Sequence, residues 1–168
     1  MMKKMLCACT LGLMIATSAT AVFASEQPTP AELIKSRIAE AKSQIKSVDS
    51  ATLKTWIDTG EKEFVLLDVR EPGEVTAGQI EADETLAIPR GMVEFQFARK
   101  VADLEKDVVV YCLKGSRGAL ATEALQNLGY KNVHNLEGGL LAWINAGHSV
   151  SNFFGEFQMS NFDSNFAK

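Results

Sequence analysis

Cysteine and histidine, which most often bind metals or act as nucleophile and base, are scarce in this 168-residue chain: it has three cysteines and two histidines. Cys7 and Cys9 lie in the first 24 residues, so Cys112 is the only thiol of the remaining chain. A lone thiol cannot form an internal disulfide, and without a Cys-x-x-Cys pair a thioredoxin-type site is excluded. We predict no metal site.

The two histidines give little support to a cysteine protease, which needs a histidine base beside its thiol. His134 lies in a predicted strand and His148 follows the last predicted helix. We interpret both as structural or surface residues.

Basic runs are also absent. The chain has 17 lysines and arginines against 21 acidic residues, a formal net charge of -4. A protein that binds nucleic acid neutralises phosphates with clustered cations. The composition therefore argues against a nucleic-acid partner.

The amino-terminal apolar run is too short and too often interrupted by polar residues to predict a transmembrane helix. Lys3 and Lys4 precede an apolar stretch from Leu6 to Val22 that is interrupted by three threonines and one serine. Small residues then occupy the positions of a cleavage site that ends at Ala24. This is the pattern of a cleaved signal peptide, whereas a span needs about 20 strongly apolar residues. We predict a signal peptide at residues 1–24 and a periplasmic or secreted protein, with a retained membrane anchor as the alternative.

The remaining chain alternates between strand and helix patterns. Residues 25–47 form a polar linker and an amphipathic helix with apolar residues at helical spacing, and residues 48–149 form the main domain. Continuous apolar runs at 64–69 and 108–111 are typical of strands buried on both faces of a parallel sheet. A short strand at 46–48, a strand at 132–136 and helices at 51–58, 116–128 and 140–146 complete the pattern, with a helical stripe of Phe97, Val101 and Leu104 between the two buried strands. The sequence predicts an α/β domain with helices on both faces of a mostly parallel sheet.

The tail at residues 150–168 is rich in phenylalanine, with five of the chain's nine: Phe153, Phe154, Phe157, Phe162 and Phe166. We expect the tail to fold back over apolar surface. The alternative is an exposed patch that docks on a protein partner or a membrane surface.

The residues that carry chemistry follow the second buried strand: Cys112, Leu113, Lys114, Gly115, Ser116, Arg117 and Gly118. Open α/β sheets place their sites at the carboxyl ends of strands. A tight loop that enters a helix turns its amides inward, and two cations beside a cysteine favour the thiolate. The pattern predicts a reactive thiol; the alternative is an inert buried cysteine.

A cysteine phosphatase or arsenate reductase would use the same chemistry of thiolate, amides and arginine. Those enzymes have five residues between cysteine and arginine, whereas Cys112 and Arg117 have four between them. The tighter loop favours binding of a sulfur atom over a tetrahedral oxyanion.

Four segments lie in order along roughly residues 48–147: Asp68-Val69-Arg70-Glu71, Ala87-Ile88-Pro89-Arg90-Gly91, the six-residue loop that begins with Cys112, and Gly138-Gly139-Leu140-Leu141-Ala142-Trp143. Together they resemble the rhodanese family. Any one motif is weak, but four collinear ones are specific. The chain departs from the family at Gln79, where many relatives have histidine.

The resemblance implies a three-layer single domain that transfers sulfane sulfur from an anionic, thiosulfate-like donor to a thiol or cyanide. Cys112 would carry the sulfur as a persulfide, and no metal or organic cofactor is required. The second hypothesis is a sulfur carrier or docking module for an exported partner protein. The oligomeric state is left open.

Supporting roles are predicted for three residues. Asp68 is expected to brace the Cys112 loop; Arg70 either does the same or pairs with Glu71 or Glu74 on the surface. Arg90 either meets the anionic substrate or is solvated. We also expect Trp143 in the core, and Gly138 and Gly139 to serve chain reversal and close packing.

Overall fold

The computed structural model describes residues 27–159. The predicted signal peptide lies outside the described residues, as do Phe162 and Phe166 of the tail. The helices are α1 Pro30–Gln44, α2 Ser50–Thr59, α3 Pro72–Ala77, α4 Val93–Lys100, α5 Ser116–Asn127 and α6 Gly139–Asn145, with a 3-10 turn at Arg90–Met92. The strands are β1 Lys46–Val48, β2 Val65–Asp68, β3 Thr85–Ala87, β4 Asp107–Tyr111, β5 Asn132–Leu136, β6 Val150–Asn152 and β7 Gly155–Phe157.

Five parallel strands form the central sheet in the order β1-β5-β4-β2-β3. One face packs Val110 against Phe97 of α4 and Leu125 of α5, and the other packs Tyr111 with Leu53 of α2 and Trp143 of α6. The prediction of an α/β fold with a parallel sheet between helices is confirmed, and Trp143 is in the core. Because every strand runs the same way, all carboxyl ends meet at one edge.

The register between β4 and its neighbours sets that edge. Asp68 of β2 lies beside Tyr111 of β4, and the Val69 amide donates to the Tyr111 carbonyl across 2.9 Å. The residue after β4 is Cys112, so the cysteine follows the central strand of the sheet. Its neighbours are the ends of β2 and β5.

Several boundaries differ from the sequence prediction. Helix α2 begins at Ser50 instead of residue 51, and its cap is Asp49, which accepts from the Thr52 amide across 2.7 Å. Helix α4 ends at Lys100, so Leu104 lies beyond it and is exposed. The patterns did not predict α3, β3 or the β6–β7 hairpin, because elements this short carry too few residues to show a period.

The helix α1 packs only its carboxyl-terminal part. Ala41 is buried, whereas Ile34 of the same predicted apolar stripe is 53% exposed. Arg37 of α1 forms an ion pair with Glu123 of α5. Across residues 27–159, the structure contains no helix that is both long and apolar enough to span a bilayer.

The first part of the tail forms an antiparallel hairpin on the domain. Val150 is buried, Phe157 packs against the Trp143 side of the core, and the Gln79 amide donates to the Ser151 carbonyl across 2.9 Å. Phe153 and Phe154 at the hairpin tip are 95% and 92% exposed. The expected fold-back therefore holds for Phe157 and is wrong for the two tip residues. The division of the chain into four segments stays a prediction.

Candidate active site

Cys112 lies between the end of β4 and the start of α5. The Gly115 amide donates to Cys112 Sγ across 3.1 Å. Gly115 is the residue before the helix and has a φ of 85°, a left-handed conformation that glycine adopts without steric cost. The loop therefore presents an amide and the positive end of the α5 dipole to the sulfur.

The first turn of α6 binds the carbonyl groups of the same loop. The Leu140 amide donates to the Cys112 carbonyl across 2.8 Å, and the Leu141 amide donates to the Leu113 carbonyl across 3.0 Å. These two bonds draw the loop carbonyls toward α6. The partial negative charges of both carbonyls are thereby neutralised by amides.

Gly139 makes this contact between loop and helix possible. A Cβ at residue 139 would lie 2.4 Å from the Cys112 carbonyl oxygen and 2.8 Å from the Gly115 nitrogen, and its φ is 62°. Close packing, predicted for Gly138 and Gly139, is what the structure requires. Gly118 has a similar role, since a Cβ there would lie 2.4 Å from Asn135 Oδ1 of β5.

The thiol is enclosed in this conformation. Cys112 is 1% exposed, and its side chain belongs to the same core cluster as Val110 and Val133. It therefore has hydrocarbon on one side and the Gly115 amide on the other. The sulfur is therefore closed to solvent in this conformation.

Arg117 and Glu74 form a forked ion pair next to the cysteine. The two guanidinium nitrogens of Arg117 lie 2.6 Å and 2.7 Å from the two carboxylate oxygens of Glu74. The hydrogen bond from Arg117 lowers the pKa of Glu74, and the hydrogen bond to Glu74 raises the pKa of Arg117, with a smaller contribution from the neighbouring Cys112. The pair thus stays ionised and holds a cation beside the thiol.

Asp68 and Arg70 form a second ion pair, and this one is buried. Arg70 Nε lies 2.9 Å and 3.0 Å from the two carboxylate oxygens of Asp68, and the side chains are 1–2% exposed. The remaining guanidinium donors reach the carbonyls of Glu74, across 3.0 Å, and Gly78, across 2.8 Å. Burial disfavours the charge of Arg70, but the hydrogen bonds and charge of Asp68 outweigh it and raise the pKa.

This arrangement changes the two roles predicted for that pair. Arg70 is not a surface residue and does not bind the carboxylates of Glu71 or Glu74. The Asp68 carboxylate accepts from the backbone amide and the guanidinium of Arg70, and through that arginine it is linked to α3. Helix α3 in turn positions the Glu74 carboxylate next to the Arg117 guanidinium.

The remaining predicted residues have other contacts. Arg90 pairs with Glu94 across 2.9 Å and donates to the Leu120 carbonyl across 3.3 Å, so it joins α4 to α5. Lys114 is exposed, Leu113 and Ser116 are half-buried, and Ser116 begins α5. Gln79 donates to Glu81 across 2.9 Å.

Both histidines pack against tryptophan rings, His134 on Trp56 and His148 on Trp143. Burial lowers the pKa of each. Among residues 27–159, no three histidine, cysteine, aspartate or glutamate side chains are grouped to hold a metal ion.

Glu74 is the residue that sequence reasoning missed. Its distance of four residues from Arg70 suggested a local ion pair, but its partner lies 43 residues further on. The usable signal was the position of α3 directly after β2, at the same sheet edge as the cysteine loop.

A model of the rhodanese-like domain matches residues 49–146 of this chain. The chain belongs to the rhodanese family. A mitochondrial protein of Schizosaccharomyces pombe, provisionally named a thiosulfate sulfurtransferase, is 40% identical over 98 residues, which are 51% of this chain and 66% of that protein. A sulfurtransferase of Allochromatium vinosum is 32% identical over 103 residues, 61% of this chain and 92% of its own length. Rhodanese-type relatives thus support sulfur transfer in general.

One solved structure bears on the phosphatase alternative. A protein of unknown function from Rhodopseudomonas palustris, described as a possible tyrosine phosphatase, superimposes with a TM-score of 0.65 and 30% identity, over 75% of this chain and 99% of that one. The two chemistries share a cysteine loop, so the local geometry has to distinguish them.

Proposed function

We propose that this protein is a sulfurtransferase that carries sulfane sulfur as a persulfide on Cys112. The observation that supports this proposal is the hydrogen bond from the Gly115 amide to Cys112 Sγ, at the start of α5 and beside the cation of Arg117. An amide, a helix dipole and a guanidinium all favour negative charge on sulfur. The same groups would also favour negative charge on the terminal sulfur of a persulfide.

In the first half-reaction, the Cys112 thiolate attacks the outer sulfur of thiosulfate or a similar anion. A sulfur–sulfur bond forms to Cys112 Sγ while the bond within the donor breaks, and sulfite leaves with the electron pair. Total charge is unchanged, and no external oxidant is needed. Backbone amides that stabilise the developing charge lower the barrier.

In the second half-reaction, a thiolate or cyanide attacks the outer persulfide sulfur. The bond between that sulfur and Cys112 breaks, and the cysteine leaves as a thiolate, ready for another donor. The product is an organic persulfide or thiocyanate. This is covalent catalysis in two steps with one nucleophile.

The pairing of Arg117 favours sulfur transfer over phosphatase chemistry. A phosphatase arginine binds the phosphoryl oxygens through its fork, whereas the fork of Arg117 binds both oxygens of Glu74. We expect no hydrolysis of p-nitrophenyl phosphate above background. Hydrolysis that Cys112→Ser removes would favour the phosphatase.

The test compares wild type with Cys112→Ser. Incubation with thiosulfate should add the mass of one sulfur atom to the wild type, removable by dithiothreitol, and cyanide should then release thiocyanate. Cys112→Ser should lose both the added mass and thiocyanate formation, because no thiolate is present to attack. Equal activity of the variant would refute the proposal.

A second candidate function is a sulfur carrier or docking module, and the observation that favours it is the exposed Phe153 and Phe154 pair. Under it, turnover with small donors would be slow in the wild type. Phe153→Ser with Phe154→Ser would then impair transfer to a protein acceptor while leaving cyanide turnover unchanged. Rapid thiosulfate-to-cyanide turnover would favour the enzyme.

We further propose that the protein is exported and cleaved after Ala24, on the pattern of its first residues. The mass of the protein recovered from its native compartment checks this. A mass that retains residues 1–24 in a membrane fraction would favour the anchor.

A further inference from the structure

Two phenylalanines form the tip of the β6–β7 hairpin. Asn152 pairs with Gly155, so Phe153 and Phe154, called here the tip pair, are the whole of a two-residue loop. Such loops usually contain asparagine, aspartate or glycine, whose backbones fit the tight turn. The two rings contact each other edge to face, with centroids 5.4 Å apart, and are 95% and 92% exposed. Turn formation therefore does not explain these residues, and their exposure indicates an interaction surface.

The base of the hairpin is fixed on the domain. The backbones of Gln79 and Ser151 exchange two hydrogen bonds, each of 2.9 Å. A Cβ at residue 78 would lie 3.2 Å from Val150 Cγ2, so the hairpin and the loop after α3 are in close contact. The tip pair is thus presented on a well-packed support, and less conformational entropy is lost when a partner binds it.

An apolar cavity of about 220 Å³ lies beside the base of the same hairpin. Its two charged wall residues, Arg70 and Glu74, already bind other side chains. Val150 and Met159 form one side of the cavity, and aliphatic side chains of α6 form another: Leu140, Leu141 and Ile144. An apolar cavity of about 150 Å³ is large enough to bind benzene. This cavity can therefore accommodate one phenyl ring.

The tip pair and the cavity are close together. Val150 of the cavity wall is three residues before Phe153, a distance of about 10 Å along a strand. A two-fold axis that crosses the line between tip and cavity at its midpoint exchanges the two positions. Each tip pair of a symmetric dimer then lies over the cavity of the partner copy, so the surface is self-complementary.

The area of the tip pair suits a weak dimer. A buried phenylalanine removes about 150–250 Å² from water, so the four in a dimer remove about 600–1,000 Å² before the cavity walls are counted. Specific interfaces begin at about 1,200 Å². A lipid surface fits less well, because adsorption on a membrane is helped by lysine and arginine, and the only charged residue in the sequence of 150–157 is Glu156.

We propose that two copies of this chain pair through this surface, with the tip pair of each copy docked at the cavity of the other. One ring of each pair enters the cavity, and the second covers its rim. The hydrophobic effect drives the association, because rings that are exposed in a single copy leave water for an aliphatic wall. The inference goes beyond the proposed function, since it involves no sulfur chemistry.

Sedimentation equilibrium across a range of protein concentrations tests the pairing. The wild type should change from monomer to dimer with a Kd in the micromolar range. Phe153→Ser with Phe154→Ser should raise this Kd by about 100-fold or more, because both copies lose their central contacts. Both changes are on exposed side chains, so the fold should be retained. Phe95→Ser is the matched control: Phe95 is 67% exposed on α4, which packs on the opposite face of the sheet, and its loss should leave the Kd unchanged.

Met159 tests the cavity without any change to the tip pair, because it lies in the wall and is half-buried. Met159→Glu places a charge in the apolar wall and should weaken the dimer about as much as the loss of the tip pair, whereas Met159→Leu should keep it. In wild type, the methyl resonances of Ile144 should shift as the protein concentration rises, because an aromatic ring enters the cavity. The same resonances should not move in the double phenylalanine variant.

Three outcomes would overturn the inference. The first is a wild type that stays monomeric up to about 1 mM, including one whose tip pair binds phosphatidylcholine vesicles or an acceptor protein instead. The second is a dimer that persists in both the double phenylalanine variant and Met159→Glu, because another surface then forms it. The third is a dimer that needs the tip pair but leaves the Ile144 methyl resonances unchanged, because the tips then stack on each other.

The carboxyl-terminal residues 160–168 supply a further control. Phe162→Ser with Phe166→Ser removes the same number of rings as the tip variant and should leave the Kd unchanged. A dimer that is lost in this variant and kept without the tip pair would contradict the inference. None of these measurements depends on a persulfide, so the pairing and the proposed sulfur transfer can fail separately.

Discussion

Two arginine–carboxylate pairs lie at the same edge of the sheet and differ mainly in burial. Asp68 and Arg70 are 1–2% exposed, whereas Glu74 and Arg117 have side chains that are 31% and 35% exposed. Both arginines use more than one donor toward their carboxylate. The two ion pairs thus have similar hydrogen-bond geometry but differ in their exposure to solvent.

The difference separates a structural task from a chemical one. The buried pair binds backbone groups at Glu74 and Gly78 and so fixes α3 and the chain after it. The half-exposed pair keeps a cation beside Cys112. Helix α3 connects the two, since Glu74 contributes its carbonyl to one pair and its carboxylate to the other.

The largest effect is expected from Arg70→Met. It leaves Asp68 as a buried, unpaired charge and two buried carbonyls without donors, which costs about 3–5 kcal/mol of unfolding free energy. Urea unfolding at neutral pH measures this. A loss under 1 kcal/mol would show that the buried pair is not structural.

A smaller effect on stability, and a larger one on substrate binding, is expected from Glu74→Gln. A pair this exposed contributes about 1 kcal/mol or less. Without the carboxylate the charge of Arg117 is no longer neutralised, so the KM for thiosulfate should fall by about fivefold, with less change at 0.5 M salt. Glu61→Gln, an exposed residue after α2, controls for net charge; an unchanged or raised KM in Glu74→Gln would contradict the prediction.

The same variant gives a pH test. The pKa of Glu74 is lowered in the folded protein from its ordinary value of 4.5, so its charge stabilises the fold above that value. The difference in unfolding free energy between wild type and Glu74→Gln should be constant at neutral pH and vanish as the pH falls through the lowered pKa. Unfolding curves from pH 7 down to the lowest pH at which the protein still folds measure it, and a difference that does not change at all below pH 4.5 would argue against an ionised Glu74 as its source.

The smallest effect is expected at a pair on the outer face of α2. Lys54 and Asp58 are four residues apart and are 35% and 54% exposed. Lys54→Met should cost only about 0.3–0.5 kcal/mol and leave thiocyanate formation unchanged. If Lys54→Met lost as much thiocyanate formation as Glu74→Gln changes, the effect of Glu74→Gln could not be attributed to its position beside the cysteine loop.

The sequence predicted those parts of the fold whose residues are adjacent in the chain. The apolar runs of β2 and β4 identified a parallel sheet, and Cys112 followed by Gly115 identified the loop. It could not predict that Glu74 binds Arg117, because that choice depends on how α3 is placed by contacts distant in sequence. Short elements such as β3 were also not predicted.

Arg70 and Arg90 illustrate the same limit. Arg70 follows a predicted buried strand and was expected to brace the cysteine loop or to pair on the surface, whereas Arg90 follows a proline and was expected to meet substrate or solvent. In the structure Arg70 is fully enclosed, and Arg90 joins α4 to α5. A residue's type and its neighbours in the chain set its charge, but only the packing of other elements decides what that charge meets.

The two bonds from the start of α6 to the cysteine loop have a consequence for the order in which the molecule matures. Cys112 leaves the ribosome before Leu140 and Leu141, so its loop carbonyls lack their amide partners until the end of the domain has been synthesised. A nascent chain stopped before Gly139 contains the nucleophile without the scaffold that orients it. The thiol therefore gains its native surroundings only once α6 has emerged and docked.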